Sequence, residues 1–207
     1  MNIFEAIKKG DAILRESGIK SYKIDSEILM SRVIKKSRAD IILSLKTELS
    51  QKDYNFYENL IIQRSKRKPI AHLTGKKEFW KYEFRVTKDV LIPRPDTEII
   101  VEKTLKLTKN KNKLKVLEIG IGSGCILLSI LKERKSFYGT GIDISKKSLE
   151  ICKINCKKLG LSSRVKLLKT DIDNFRYGKY DLIISNPPYV KKFELKYLEK
   201  EVSFYEP

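Results

Sequence analysis

Four short stretches of the chain hold residue types that could do chemistry. In IISNPPYV (Ile183 to Val190) an apolar run meets Asn186, Pro187, Pro188 and Tyr189 where a buried strand should end. Proline lacks the ladder N–H and fixes φ at about −65°, so the chain leaves the strand in a stiff turn. Each proline also turns the residue before it away from helical geometry. The Asn186 amide oxygen and the Pro187 carbonyl are then free to face one crevice, two acceptors matched to a planar –NH₂ group. An amide or aniline-type nitrogen is a poor nucleophile because its lone pair is delocalised. Holding both of its N–H bonds aims it at an electrophile and strengthens the lone pair as the transition state forms. Tyr189 could stack over such a planar acceptor.

The other three stretches could hold the electrophile's carrier. EIGIGSG (Glu118 to Gly124) follows an apolar run and opens a helix, and Gly120, Gly122 and Gly124 permit a tight turn with a ligand close to the backbone. Phosphate and dinucleotide sites use related loops. No Lys-Ser/Thr follows here, which argues against a nucleoside triphosphate loop. The acid Glu118 would repel a pyrophosphate but suits a cationic ligand such as a sulfonium amino acid. About twenty residues further on, Asp143 ends the next apolar run, where a carboxylate can accept both hydrogen bonds of a ribose diol. Asp171 and Ile172 end the third, placed to take an exocyclic amine and to pack on a ring.

These stretches need a frame that brings them together. From Lys115 onward KVLEI, GTGID, VKLLK and YDLIIS alternate with the helical segments CILLSILKER and KKSLEICKINCKKLG. Strands alternating with helices imply right-handed crossovers and a parallel sheet with its ligands at the C-terminal edge. Upstream the periods differ. Ile3, Phe4, Ile7, Ile13 and Leu14 follow one helical face, and Ile28, Leu29, Val33 and Ile34 another. Ser50 and Asp53 have capping-box spacing before a helix bearing Tyr54, Tyr57, Leu60 and Ile61, which Pro69 is expected to close. In WKYEFRV, Trp80, Tyr82, Phe84 and Val86 alternate with charged residues, as in a half-buried hairpin strand. In LIPRPDTE, Pro93 and Pro95 fix an extended turn, and Asp96 or Thr97 can cap a helix starting near Glu98.

Composition narrows the function. A chain of 207 residues can hold one full core and a small second domain. No apolar run is long enough for a bilayer, and MNIFEAIKKGDAIL lacks a signal-peptide core. Three cysteines, Cys125, Cys152 and Cys156, are too few for a disulfide framework, so a cytoplasmic location is expected. With the one histidine, His72, far away in sequence, buried thiols are expected and no metal centre. The net charge of +18 invites a nucleic-acid reading. Yet residues 1–70 hold 15 basic and 9 acidic groups and residues 71–207 hold 29 and 17, the same density throughout. Lys supplies 34 of the 44 cations, where phosphate or base recognition favours Arg. A solvated Lys-rich surface is therefore expected, with no stable nucleic-acid partner and no membrane.

EIGIGSG, Asp143, Asp171 and NPPY, in that order, resemble a class I S-adenosylmethionine-dependent methyltransferase acting on amino groups. NPPY is shared by adenine-amino methyltransferases and by protein glutamine methyltransferases. PIAHLTGKKEFW (Pro69 to Trp80) and LIPRPDTE (Leu91 to Glu98), behind a small helical domain, are similar to the peptide chain release factor glutamine methyltransferase family across essentially the whole chain. The resemblance implies an α/β fold: a Rossmann-like parallel sheet, preceded by a small all-α domain and a β-hairpin linker. Residues 1–70 would be a helical substrate-docking domain, 71–91 the linker and 92–207 a partial methyltransferase domain. Glu118 stands where the family usually has Asp. A sheet of this class has about three more strands than the apolar runs here supply, so a fragment of a longer protein is expected.

The implied reaction is methyl transfer from S-adenosyl-L-methionine to the side-chain amide of the glutamine in the Gly-Gly-Gln motif of release factors, by a monomer. By position, Glu118, Gly120, Ile121, Gly122, Ser123 and Gly124 would line the methionine part of the cofactor, Asp143 its ribose, and Asp171 with Ile172 its adenine. Asn186, beside the cofactor, and Pro187 would hold the target amide, with Pro188 and Tyr189 completing the substrate site and Tyr189 stacking. Arg94 and Glu98 would shape its lip. Two other readings stay open: an amino methyltransferase of nucleic acid, and a truncated binding module without catalysis.

Overall fold

The computed structural model describes residues 1–187 together with 201, 205 and 207. These fall into two compact units: one holds Met1–Thr74 and takes in Glu201 and Tyr205, and the second begins at Gly75.

The first unit is helical: α1 (Ile3–Glu16), α2 (Tyr22–Ile34), α3 (Arg38–Leu43), α4 (Gln51–Ser65) and α5 (Ile70–Thr74). Reciprocal capping boxes start two of them, Asn2 with Glu5 on α1 and Ser37 with Asp40 on α3, each satisfying otherwise orphaned N–H groups. At α4 the box is only half made. Ser50 accepts from the Asp53 N–H, but the Asp53 carboxylate takes the Ser50 hydroxyl instead of its backbone N–H. That helix ends at Ser65 rather than at Pro69: Arg67 adopts φ 68, and the Pro69 carbonyl starts α5. On α1, Ile3, Ile7 and Leu14 are buried while Phe4 and Ile13 flank the stripe, partly exposed. The α1 contact is close at Gly10, where an added Cβ would lie 2.3 Å from the Tyr57 hydroxyl. That hydroxyl shares a 2.5 Å hydrogen bond with Ser26. Arg64, also buried, donates to Asp25 and to Glu201, each at 2.7 Å, and to the Lys68 carbonyl.

The second unit opens with an antiparallel hairpin, β1 (Lys76–Phe79) and β2 (Tyr82–Arg85). Trp80 is not part of the strand as its alternation suggests. It occupies the two-residue turn at φ 57, the left-handed geometry such hairpins demand, and its N–H donates to Glu98 at 2.7 Å. Phe79 and Phe84 pack edge to face and are buried. A 3₁₀ turn (Pro95–Thr97) leads into α6 (Glu98–Leu107), whose N-cap Thr97 makes no side-chain capping bond.

From there strands and helices alternate: β3 (Lys115–Ile119), α7 (Cys125–Glu133), β4 (Tyr138–Asp143), α8 (Lys146–Lys158), β5 (Val165–Lys169) and β6 (Leu182–Ser185). The four strands form one parallel sheet in the order β5-β4-β3-β6. Chain direction reverses its march at β3, the kind of switch at whose C-terminal strand ends open α/β sheets bind ligands. The core is built on β3 and α7, with Val116, Leu127, Leu128, Ile130 and Leu131 fully buried. Among the described residues no helix is long and apolar enough to cross a membrane.

Candidate active site

Strand register sets what meets at the C-terminal edge. Ile119 of β3 pairs with Ile142 of β4 and with Ser185 of β6, and Asp143 of β4 pairs with Lys169 of β5. Gly120 and Asn186 therefore leave the sheet side by side, one residue past a registered pair, and the Ser185 hydroxyl adds a bond to the Ile119 carbonyl at 3.2 Å. Asp171 leaves two residues past the end of β5. Three strand spacings of about 4.8 Å make the edge roughly 14 Å wide. Across it the sequence-predicted residues come in spatial order: Asp171 and Ile172, then Asp143, then the glycine loop, then Asn186 and Pro187. Pro188 and Tyr189 lie outside the described residues.

The glycine loop divides by what lies over each residue. Gly120 and Gly122 have φ of 70° and 53°, and a Cβ on either would meet nothing within 4 Å. Gly124, at φ 81°, faces the opposite way: its Cβ would stand 2.6 Å from the Cys152 sulfur. The first two leave room above the backbone and the third lets the helix seat. Ile121 and Ser123 point down rather than up. Both are buried, and the Ile121 side chain fills the space over Gly141, where a Cβ would come within 2.0 Å of Cδ1.

The carboxylates bracket the loop. Asp143 accepts from the Gly122 N–H at 3.0 Å and from the Ser145 N–H at 2.9 Å, one bond to each oxygen, leaving lone pairs for a further donor. Glu118 is buried and accepts from the Leu127 N–H at 3.0 Å, in the first turn of α7. Burial pushes its carboxyl up to about 8, against the Leu127 bond and with the help of neighbouring Asp143. A buried acid facing another acid, with no cation against it among the described residues, is a place where positive charge is favoured. Cys125 beside it is raised to about 12 by burial and by Glu118, which leaves its thiol protonated and unsuited to nucleophilic work. Asp171 is exposed and caps the 3₁₀ turn Ile172–Asn174 through its bond from the Asp173 N–H, with Ile172 44% exposed beside it. Asn186 is half-buried and Pro187 exposed; among the described residues no hydrogen bond engages the Asn186 amide.

Glu98 is committed to the Trp80 N–H, so it fixes the hairpin turn. Asn155 escaped the sequence reading. It is fully buried on α8 and bonds the Ser123 carbonyl from beneath the loop. Its signal is an amide on the apolar stripe formed by Ile151, Cys152 and Cys156. A separate hollow of about 400 Å³ between Lys115, Tyr138, Lys166 and Tyr180 opens at the other end of the strands and shares no residue with this edge.

Two family models match: one described as PrmC N-terminal domain over residues 5–75, and one described as methyltransferase small domain over residues 96–201. Among curated proteins, a release factor glutamine methyltransferase of Clostridium acetobutylicum is 40% identical over 212 residues, covering 100% of this chain and 74% of its own length. One from Buchnera aphidicola of Acyrthosiphon pisum is 39% identical over 207 residues, covering 100% and 73%. One from Caulobacter vibrioides is 35% identical over 195 residues, covering 94% and 68%. With matches of this identity and extent on both units, the chain belongs to the release factor glutamine methyltransferase family.

Proposed function

We propose that this chain methylates peptide chain release factors, using S-adenosyl-L-methionine to modify the side-chain amide nitrogen of the glutamine in their Gly-Gly-Gln motif. The relatives at 35–40% identity are named release factor glutamine methyltransferases. One observation carries the assignment of the site: the register that lines up Asp171, Asp143, the open glycines and Asn186 along one edge. The residues fit the cofactor. The space over Gly120 and Gly122 admits a ligand against bare backbone, and the Glu118–Asp143 pair favours a cation there. Asp143 has acceptors to spare for a ribose diol, and exposed Ile172 offers an apolar face for adenine.

When bound, the cofactor supplies an electrophilic methyl on a positively charged sulfur. The chain's own work is positioning and polarisation. Asn186, through its amide oxygen, and Pro187, through its carbonyl, accept the two N–H bonds of the target amide, turning its nitrogen lone pair toward the methyl. As the carbon–nitrogen bond formed and the methyl's bond to sulfur broke, leaving a neutral thioether, the amide would acquire positive charge and both acceptors would strengthen; the surplus N–H proton would leave late, to solvent. The sequence assigns Tyr189 to stack on the planar amide and Pro188 to the substrate site; both lie outside the described residues. The helical unit, Met1–Thr74 rather than residues 1–70, serves as the docking domain for the release factor, and the hairpin that follows it opens the second unit. The enzyme acts as a cytoplasmic monomer without a stable nucleic-acid partner; three free thiols accord with a reducing compartment.

Transfer of labelled methyl from the cofactor into a purified bacterial release factor tests this reading. Incorporation should vanish when the Gly-Gly-Gln glutamine is replaced. Asn186→Ala should lower turnover by about 10²–10³-fold while largely sparing affinity for S-adenosylhomocysteine. Full activity of that variant, or label entering RNA or DNA instead, would refute the assignment.

A further inference from the structure

Helix α8 meets the rest of its unit through a stripe of Ser148, Ile151, Cys152, Asn155 and Cys156. Its polar members are engaged. Ser148 donates to the Asp89 carbonyl at 3.1 Å. Asn155 accepts from the Arg85 N–H at 2.7 Å, donates to the Arg85 carbonyl at 3.0 Å, and donates to the Ser123 carbonyl at 2.9 Å. By taking both backbone groups of Arg85, its amide imitates a neighbouring strand at the end of β2. The third bond reaches the glycine loop. The Ser123–Gly124 peptide is thereby gripped at both ends, because its N–H donates to the Ile121 carbonyl at 2.8 Å while its C=O receives Asn155. A peptide next to a glycine at φ 81° has a low barrier to flipping, since no Cβ resists the alternative conformations. One helical turn before Asn155, Cys152 stands against Gly124.

We propose that Asn155 is a positioning residue for the cofactor loop, locking the Ser123–Gly124 peptide in the orientation that keeps the space over Gly120 and Gly122 open. It ties that orientation to the backbone of Arg85, so the hairpin and the loop are set as one piece. The inference rests on the reading of the glycine loop as the cofactor site.

Calorimetric titration of S-adenosylhomocysteine into the wild-type chain, Asn155→Asp, Asn155→Ala and Ser148→Ala tests it, with thermal melts and amide exchange alongside. Asn155→Asp replaces the donor by a carboxylate against two carbonyls, and Asn155→Ala serves if that variant does not fold. Either should weaken binding tenfold or more, on the order expected for an unmade buried hydrogen bond. Exchange at the Gly122 and Gly124 amides should accelerate in both. Ser148→Ala loses a bond from the same helix face without touching the loop, so its affinity should stay within about twofold even if it melts lower. A folded Asn155→Ala with wild-type affinity and unchanged exchange would overturn the inference, as would an equal loss in Ser148→Ala. Failure of the wild-type chain itself to bind would instead sink the cofactor-site reading, and the inference with it.

Discussion

Each unit buries an ionisable side chain, and the two satisfy it in opposite ways. In the helical unit Arg64 is surrounded by its answers: Asp25, Glu201 and the Lys68 carbonyl. In the α/β unit Glu118 is buried against one N–H and a second acid. A buried ion pair with every bond made belongs to the fold, because its groups have nothing left to offer a ligand. A buried acid without a cation is different: it keeps its proton, and ionising it costs free energy until something positive arrives. The glycines repeat the contrast on a smaller scale. Gly10, Gly124, Gly139 and Gly141 lack a Cβ because a neighbour fills the space, whereas Gly120 and Gly122 face nothing.

The largest effect should come from Arg64→Met, which leaves the buried Asp25 carboxylate with only the Ser21 hydroxyl among the described residues and takes the cation from the partly buried Glu201. It should destabilise the helical unit by about 3–5 kcal/mol, read by urea unfolding followed by circular dichroism. If stability scarcely changes, the cluster is not the structural feature the comparison makes it. Gly124→Ala adds a methyl against Cys152 and Leu128 at an unfavourable φ, and should cost about 2–4 kcal/mol in the same assay. Gly122→Ala meets no neighbour, so about 1 kcal/mol of backbone strain is the expected stability loss, yet the methyl intrudes on ligand space. Cofactor affinity should therefore fall far more than stability; loss of both in proportion would erase the distinction between filled and open glycines.

The smallest effect is a pH slope. Because Glu118 holds its proton up to about 8 in the folded chain but only to its ordinary 4.5 when unfolded, the folded state binds the extra proton between those values. Stability from this group is thus present below pH 4.5 and falls as pH rises toward 8. Glu118→Gln should flatten that stretch of a melting-temperature profile. A cation placed beside Glu118 also draws its proton off. Cofactor binding near pH 7 should then release protons, seen as a binding enthalpy that depends on the buffer's ionisation heat.

Much of this was legible in the sequence where burial is continuous. KVLEI, GTGID, VKLLK and LIIS within YDLIIS are strands, and the motif at each end marks the edge they share; β3 and β4 are buried through their middle, as parallel strands covered on both faces are, whereas β5 and β6 keep exposed positions, Ile183 among them. Trp80 looks like strand from the sequence because hydrophobic alternation runs straight through a hairpin turn; only the backbone geometry distinguishes it. The Asn2 and Ser37 caps went unread, being short local signals with no long periodic run to announce them. Asn155 was hidden for another reason. Its partners, Arg85 and Ser123, are 70 and 32 residues away, and a helix period alone cannot say which backbone a buried amide will meet.

The pairing of Ile119 with Ser185 makes β6 a measuring stick. A deletion or insertion of one residue in that strand would advance or withdraw its end by about 3.3 Å and turn every side chain over. Asn186 would then point through the sheet's far face with its chemical character intact and its purpose gone. Length, as much as composition, is therefore under constraint between Asp181 and Asn186, and homologous chains should vary there by exchange of residues rather than by their number.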